Sequence, residues 1–403
     1  MKLILTLELI VIGLFSFIVA STQAEKKGYT CGEDGFWYQD GKKTEYTYGC
    51  SKDAKDKDGT KDSSTKAKTA CTRSEDPEMP KEYPKTCISG PPDAGLRCWW
   101  TYVPAKVKAA SSTLKVPLVV DMHGGGGCAS HQALSSGFRE LADSLDAKDS
   151  FVIIWPQGYN NQWGTCGSDC DKTQAESKGK DIHTTDDVTF ISALIAYAIK
   201  NDDSSNPSYG VINPEKVYTT GFSMGCMMSH RLALERSSII AGFGGHGGRL
   251  IQLGSDLNAE RSRFNLQAMP AYMTGGTVDD WFEKRAYVSW TSLNQCAVID
   301  PNDNITLLGT NKESKAEAML YSHSSCAGDV RVVRLEIING THVPDSRMAK
   351  LSYDFLKSYS RNGALEALGD WSIYETSLGS DGARNNLSIL ISLALIVGFF
   401  MGY

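Results

Sequence analysis

The sequence predicts an α/β fold, with a mostly parallel central sheet covered by helices on both faces. Three observations carry that reading. Apolar, β-branched runs alternate along the chain with stretches whose apolar residues recur at helical spacing. Strands separated by helices in this way build a parallel sheet with two covered faces. Finally, the run over residues 217–220 passes straight into Gly221-Phe222-Ser223-Met224-Gly225 and then into a helical stretch over residues 226–235. A strand that turns sharply into a helix through Gly-x-Ser-x-Gly lifts its serine above the sheet edge.

The elements follow in order. Residues 97–103 read as an early strand closed by Pro104, and residues 116–122 (V-P-L-V-V-D-M) as a buried strand ending at His123 and four glycines. Residues 136–146 are amphipathic and predict a helix. Residues 151–155 form another apolar strand, stopped by Pro156. Val188, Ile191, Leu194, Ile195 and Ala198 repeat at helical spacing and predict a helix over 186–199. Later strands are expected over 271–274 and 330–338, and a closing helix over 346–359. Ligands of such a sheet bind at the carboxyl ends of its strands.

Both ends of the chain read as addresses. A basic residue, the apolar run 3–20 and the small-residue site Ser21-Thr22-Gln23-Ala24 predict a signal peptide over 1–24. Small residues over 379–383, a short polar spacer and an apolar run over 387–403 fit a glycosylphosphatidylinositol attachment signal over 381–403, with a short membrane tail as the alternative. Between them the expected organisation is a Cys-containing extension with a charged linker over 25–90, a catalytic domain over 91–362 and a stem over 363–380. The expected location is the cell surface or the medium, with membrane attachment through the C-terminus.

The chain has 403 residues, 11 cysteines and a formal net charge of −6. That mild negative charge argues against a nucleic-acid partner. The cysteines suit an oxidising compartment, and their odd number leaves at least one unpaired. Cys226, on the helix after Ser223, is the candidate, packed as a small hydrophobe. Sequons at Asn304 and Asn339 predict surface N-glycans. No zinc motif, phosphate loop or dinucleotide fingerprint is present, His183 and His246 have no metal-ligand spacing, and no cofactor is expected.

The chemistry needs an acid and a histidine after Ser223, in the chain order of an α/β-hydrolase. Asp279, in Gly275-Gly276-Thr277-Val278-Asp279-Asp280, lies in a turn just after a strand, with Asp280 as its neighbouring rival. His342, in Asn339-Gly340-Thr341-His342-Val343-Pro344, lies between the last long strand and the last helix. A serine hydroxyl is a poor nucleophile by itself, so His342 would take its proton and Asp279 would orient the imidazole. Charge developing on a substrate carbonyl calls for preorganised donors. The backbone N–H of Met224 is one candidate. Gly124 and Gly125, in the glycine run after His123, supply the others. Trp163, in the loop Trp163-Gly164-Thr165-Cys166, and Trp281, just after the acid pair, are the candidate substrate-contacting side chains.

These motifs, taken together, resemble the polyhydroxybutyrate depolymerase and feruloyl esterase family of secreted α/β-hydrolases. The resemblance covers about residues 97–360 and rests on P-L-V-V-D-M-H-G, F-V-I-I-W-P-Q-G, W-G-T-C-G, T-D-D-V-T-F-I, V-Y-T-T-G-F-S-M-G-C-M-M, G-T-V-D, the Trp290-to-Cys296 segment and G-T-H-V-P. It implies a Ser223–Asp279–His342 triad and an ester of a hydroxy acid or an aromatic acid as substrate. Cys226 stands where the family usually has a glycine, and Val343-Pro344 where it has Trp-Pro. The expectation is a surface-attached serine carboxylesterase working through an acyl-enzyme, with hydroxyalkanoate polyesters as first substrate and feruloyl or acetyl esters of polysaccharide as second. A peptidase on the same fold and an inactive surface binding protein are the rivals.

Overall fold

A computed structural model describes residues 29–31, 37–39, 42–43, 78–89, 96–110, 114–165, 186–200, 211–251, 253–297, 305–308 and 317–363. Two compact units divide the chain, Met1–Ser64 and Thr65–Tyr403. The described part of the first is a small antiparallel sheet of β1 (Tyr29–Cys31), β2 (Trp37–Gln39) and β3 (Lys42–Lys43).

The second unit carries β4 (Lys85–Ser89), β5 (Leu96–Tyr102), α1 (Ala105–Ala109), β6 (Val116–Met122), α2 (Ala129–Ser135), α3 (Phe138–Ser144), β7 (Val152–Pro156) and α4 (Asp187–Lys200). Then come β8 (Ile212–Gly221), α5 (Met224–Glu235), β9 (Gly242–His246), α6 (Leu257–Arg263), β10 (Ala271–Gly276), α7 (Arg285–Leu293), β11 (Ile305–Leu308), β12 (Ala318–His323), β13 (Val332–Ile337) and α8 (Arg347–Leu356). Ten strands form one sheet in the order β11-β12-β13-β10-β9-β8-β6-β7-β5-β4. Its centre, from β13 to β7, is parallel, and antiparallel strands finish both edges. This is the α/β-hydrolase fold.

The strand period of two sorts the core onto two faces. Leu118, Val120 and Met122 join one apolar cluster with residues of α4, α5 and α7, while Val119 joins a second with residues of α2, α3 and α8. Val152 and Ile154 against Ile153 and Trp155 repeat the alternation on β7. Each such aliphatic side chain, fully buried, contributes about 1.5–3 kcal/mol.

Three differences from the sequence reading have local causes. The helix expected over 136–146 is α3, which starts only at Phe138: Gly137 separates it from α2, with a φ of 77° and an approach to the Ser346 carbonyl that leaves no room for a side chain. The sheet begins before residue 91, because β4 pairs with β5 and Cys87 is disulfide-bonded to Cys98 across that pair. Strand β9, Gly-Phe-Gly-Gly-His, has none of the β-branched residues that announce a strand. Gly242 and Gly244 lie there because Leu356 and Ser352 of α8 pack where a side chain would be.

A second disulfide joins Cys296 to Cys326, and Cys128 is also disulfide-bonded. Cys226 is free and buried, as expected. Cys166, Cys170, Asn304 and both terminal segments lie outside the described residues. Among the described residues no helix is long and apolar enough to cross a membrane.

Candidate active site

The parallel strands β6, β8, β9, β10 and β13 end side by side, and each delivers part of one site. Register alone achieves this. Met122 pairs with Gly221, Thr274 with His246 and Gly276 with Ile337, so the residues just after these positions come out at one edge.

Ser223 follows β8 with φ 54° and ψ −114°, a left-handed conformation that costs of order 1–3 kcal/mol in a non-glycine residue. The flanking glycines permit it. A side chain on Gly221 would lie 2.5 Å from the Met122 carbonyl oxygen, and one on Gly225 would lie 2.0 Å from the same atom. The turn is thus pressed onto the end of β6. Ser223 Oγ lies 2.9 Å from His342 Nε2, and His342 Nδ1 lies 3.0 Å from both carboxylate oxygens of Asp279. A carboxylate beside Nδ1 makes that nitrogen the donor and leaves Nε2 to accept from the serine hydroxyl.

The acid and histidine loops are stitched to each other. Thr277 and Val278 donate their amides to the carbonyls of Ile337 and Gly340, and the Thr277 hydroxyl accepts from the Asn339 amide. A side chain on Gly276 would lie 1.9 Å from the Gly340 oxygen, so only glycine lets the two turns touch. The Asp279 carboxylate is buried and also accepts from the Trp281 amide at 2.8 Å. Asp280, the sequence rival, is exposed and turns its carbonyl to Arg249. Asn339 is exposed in the turn before His342.

The glycine run after β6 lies against the start of α5. A side chain on Gly125 would meet the Met224 thioether at 3.5 Å. The amides of Gly126 and Gly127 are spent on the Asn161 and Gly124 carbonyls. Gly125 therefore lies beside Met224, the residue after the nucleophile. His123 sets this loop. Its Nδ1 donates to the Gly124 carbonyl at 2.8 Å and its Nε2 accepts from the Gly158 amide at 3.0 Å. Burial lowers its pKa to about 4, which keeps the imidazole neutral and this tautomer in place.

The two tryptophans part company. Trp281 is 50% exposed with its ring 6.1 Å from that of His342, so it stands on the rim of the site. Trp163 is 0% exposed, packs on the His123 ring at 4.8 Å and donates its indole N–H to the His123 carbonyl at 2.8 Å. The expectation of substrate contact fails for Trp163. Its body is buried and its one polar group is spent holding the glycine loop. The same segment is anchored by Asp187, which accepts from the Gly164 amide and pairs with the buried Arg97.

Sequence reasoning passed over His246. It ends β9, its carbonyl accepts from the Ser223 amide at 2.8 Å, and its Nε2 donates to the Val343 carbonyl at 2.8 Å. Its Nδ1 accepts from the Thr274 hydroxyl at 2.7 Å, and its ring stacks on Phe222. The signal that could have found it was positional. An α/β sheet needs a strand between the helix after Ser223 and the strand before Asp279, and Gly242–His246 was the stretch left to supply it. Cys226 packs against Gly245 and Gly248, and burial raises its pKa to about 12, which makes it an inert filler. Among the described residues no group of acidic, histidine or cysteine side chains could hold a metal ion.

Fold and site geometry define an α/β-hydrolase fold with a serine, a histidine and a carboxylate in hydrogen-bonding reach of one another. The comparisons with known proteins agree with that class. A phospholipase/carboxylesterase family profile matches residues 144–295, a span that includes Ser223 and Asp279. The chain is similar to a bifunctional acetylxylan esterase/xylanase of Neocallimastix patriciarum, 23% identical over 254 residues, which is 63% of this chain and 33% of that protein. It thus spans about one third of the length of this curated relative. Among solved structures, an acetyl xylan esterase from Aspergillus awamori aligns at TM-score 0.46 and 14% identity, covering 68% of this chain and 99% of that one. The feruloyl esterase module from Clostridium thermocellum, as an S954A mutant complexed with sinapinate, aligns at TM-score 0.41 and 14% identity over 69% and 87% of the two chains.

Proposed function

We propose that the chain is a serine carboxylesterase that works through an acyl-enzyme on esters of polysaccharides. The observation that supports it is the unbroken relay Ser223–His342–Asp279 at 2.9 and 3.0 Å, with the serine held in a strained turn. Ser223 Oγ attacks the ester carbonyl carbon while His342 Nε2 takes its proton. The tetrahedral oxyanion accepts from the Met224 amide and an amide of the Gly124–Gly125 stretch. Its collapse breaks the ester C–O bond, and the imidazolium returns its proton to the leaving alcohol. Water, deprotonated by the same imidazole, then releases the acid and restores Ser223. One such amide donor contributes about 100- to 1000-fold in rate.

The acetylxylan esterase relative moves acetyl or feruloyl polysaccharide esters ahead of hydroxyalkanoate polyesters. Secretion and surface attachment remain part of the proposal. They are supported by the terminal apolar runs and by disulfides of the kind formed in oxidising compartments.

The test is hydrolysis of short aryl esters and acetylated xylan by the purified protein beside Ser223→Ala. Turnover that disappears in the variant is expected. Equal turnover in both, or none in a folded parent, overturns the assignment.

A further inference from the structure

Beyond the triad the chain runs into an open cleft of ≈ 650 Å³. Gly247 and Gly248 join the two. A side chain on Gly247 would lie 3.0 Å from Asp279 Oδ2 and 3.2 Å from His342 Nδ1, and one on Gly248 would lie 2.7 Å from the Ser223 carbonyl oxygen. The next residue, Arg249, is in the cleft wall. Its guanidinium lies over the Trp281 ring at 4.8 Å, and one nitrogen donates to the Asp280 carbonyl at 3.1 Å. The cleft therefore begins one residue from the catalytic groups, and its Arg249 stacks on the tryptophan that borders them.

The charges in this wall do not cancel. Arg249, Arg285 and Glu283 line the cleft, and Glu283 is engaged by Arg285 at 3.1 Å. Among the described residues no carboxylate pairs with Arg249. Stacking on an indole fixes the plane of a guanidinium and leaves its outer N–H fork pointing away from the ring. With one nitrogen held by the Asp280 carbonyl, the fixed guanidinium keeps its remaining N–H groups for a carboxylate on charge-assisted hydrogen bonds. Leu250 and Val288 supply apolar wall beside it.

We propose that this cleft is a subsite for an ester bearing a carboxylate, which Arg249 holds above the rim of Trp281. The proposal rests on the esterase reading above. The carboxylate can belong to the acid part of the ester, as in a hemisuccinate, or to the alcohol part, as in an acetylated hexuronic acid. Both present the same group to the same fork.

Two substrate pairs separate these sources: p-nitrophenyl acetate with p-nitrophenyl hemisuccinate, and an acetylated methyl glucoside with the corresponding uronic acid. kcat/KM would be measured for the parent, Arg249→Gln and Arg249→Lys, with thermal midpoints to confirm folding. In one pair the parent should favour the charged member about tenfold, the ratio equivalent to ~1.4 kcal/mol. That ratio should vanish in Arg249→Gln and survive in part in Arg249→Lys. It should also collapse at about 1 M salt, where the Debye length is ~3 Å. The responding pair shows which side of the ester carries the charge. A charged-to-neutral ratio that is the same in the parent and Arg249→Gln for both pairs overturns the subsite and leaves the esterase standing. A folded parent that turns over none of the four, or does so equally as Ser223→Ala, removes both.

Discussion

The amide of Ser223 donates to the carbonyl of His246 at 2.8 Å, while the imidazole of that same histidine donates to the Val343 carbonyl at 2.8 Å. One residue thus braces the nucleophile turn with its backbone and the turn bearing His342 with its side chain. Through Thr274 it also reaches the strand that precedes Asp279. His246→Ala should keep the Ser223 contact and release the His342 turn. A misplacement of about 1 Å costs roughly 100-fold in rate, so kcat should fall by about that factor with KM little changed. His246→Gln, whose amide can still donate to Val343, should recover much of the loss. An equal fall in both variants would mean the ring's packing on Phe222 matters, and not its hydrogen bond.

The sequence favours Asp279 over its neighbour Asp280, and the backbone sets the two apart. Asp279 is buried against His342, whereas Asp280 is exposed. Asp279→Asn should lower kcat roughly a thousand- to ten-thousand-fold, because an amide no longer fixes the imidazole tautomer. Asp280→Asn should change kcat by less than about threefold, as surface substitutions generally do. Steady-state kinetics on one aryl ester would read both.

Much of this site was legible because its chemistry needs rare local patterns. Gly-x-Ser-x-Gly after a strand, an acid in a glycine turn, and a histidine between the last strand and helix each have a topological address. What was illegible depends on contacts between distant segments. His246 sits in Gly-Phe-Gly-Gly-His, whose glycines answer to side chains of α8 and to Cys226, over a hundred residues apart in the first case. Trp163 looked like a pocket wall because a loop tryptophan near a nucleophile often is one. Its burial depends on His123, forty residues upstream. The break at Gly137 has the same origin, since Ser346 fills the space.

The contrast between the tryptophans gives a third prediction. Trp163→Phe removes the donor to the His123 carbonyl and leaves that buried oxygen short of a partner, which costs about 1–3 kcal/mol. The thermal midpoint should drop, and kcat should fall with it because the glycine loop loosens. Trp281→Ala should leave the midpoint nearly unmoved and act on KM, since the ring is half exposed at the rim. Differential scanning calorimetry beside steady-state kinetics would distinguish them. A KM effect in Trp163→Phe with no loss of stability would return Trp163 to the substrate.

Buried ionisable groups set the acid side of stability, and their signs differ. Burial lowers His123 from 6.5 to about 4 and His230 from 6.5 to about 3. The unfolded chain binds those protons first, so the stability they confer is complete above pH 6.5 and is lost as pH falls through the folded values. Asp121, buried beneath the glycine loop with Gln132 and Trp155 donating to it, is raised from 3.8 to about 7 by desolvation. Its contribution has the opposite sign: present below pH 3.8 and lost as pH rises through 7. Between pH 4 and 6.5 the unfolded state binds two protons at the histidines, against one held by the native state at Asp121. Burial also lowers His246 and His323, which adds to the histidine side. Unfolding free energy should therefore rise with pH across this window, by at least about 1.4 kcal/mol per unit. In Asp121→Asn the opposing proton is gone, so the slope should steepen by about the same amount. Urea unfolding at several pH values would measure both slopes. A slope in Asp121→Asn equal to or shallower than the parent's would show that Asp121 is ionised in the native protein at acid pH, its charge held by the Gln132 and Trp155 donors.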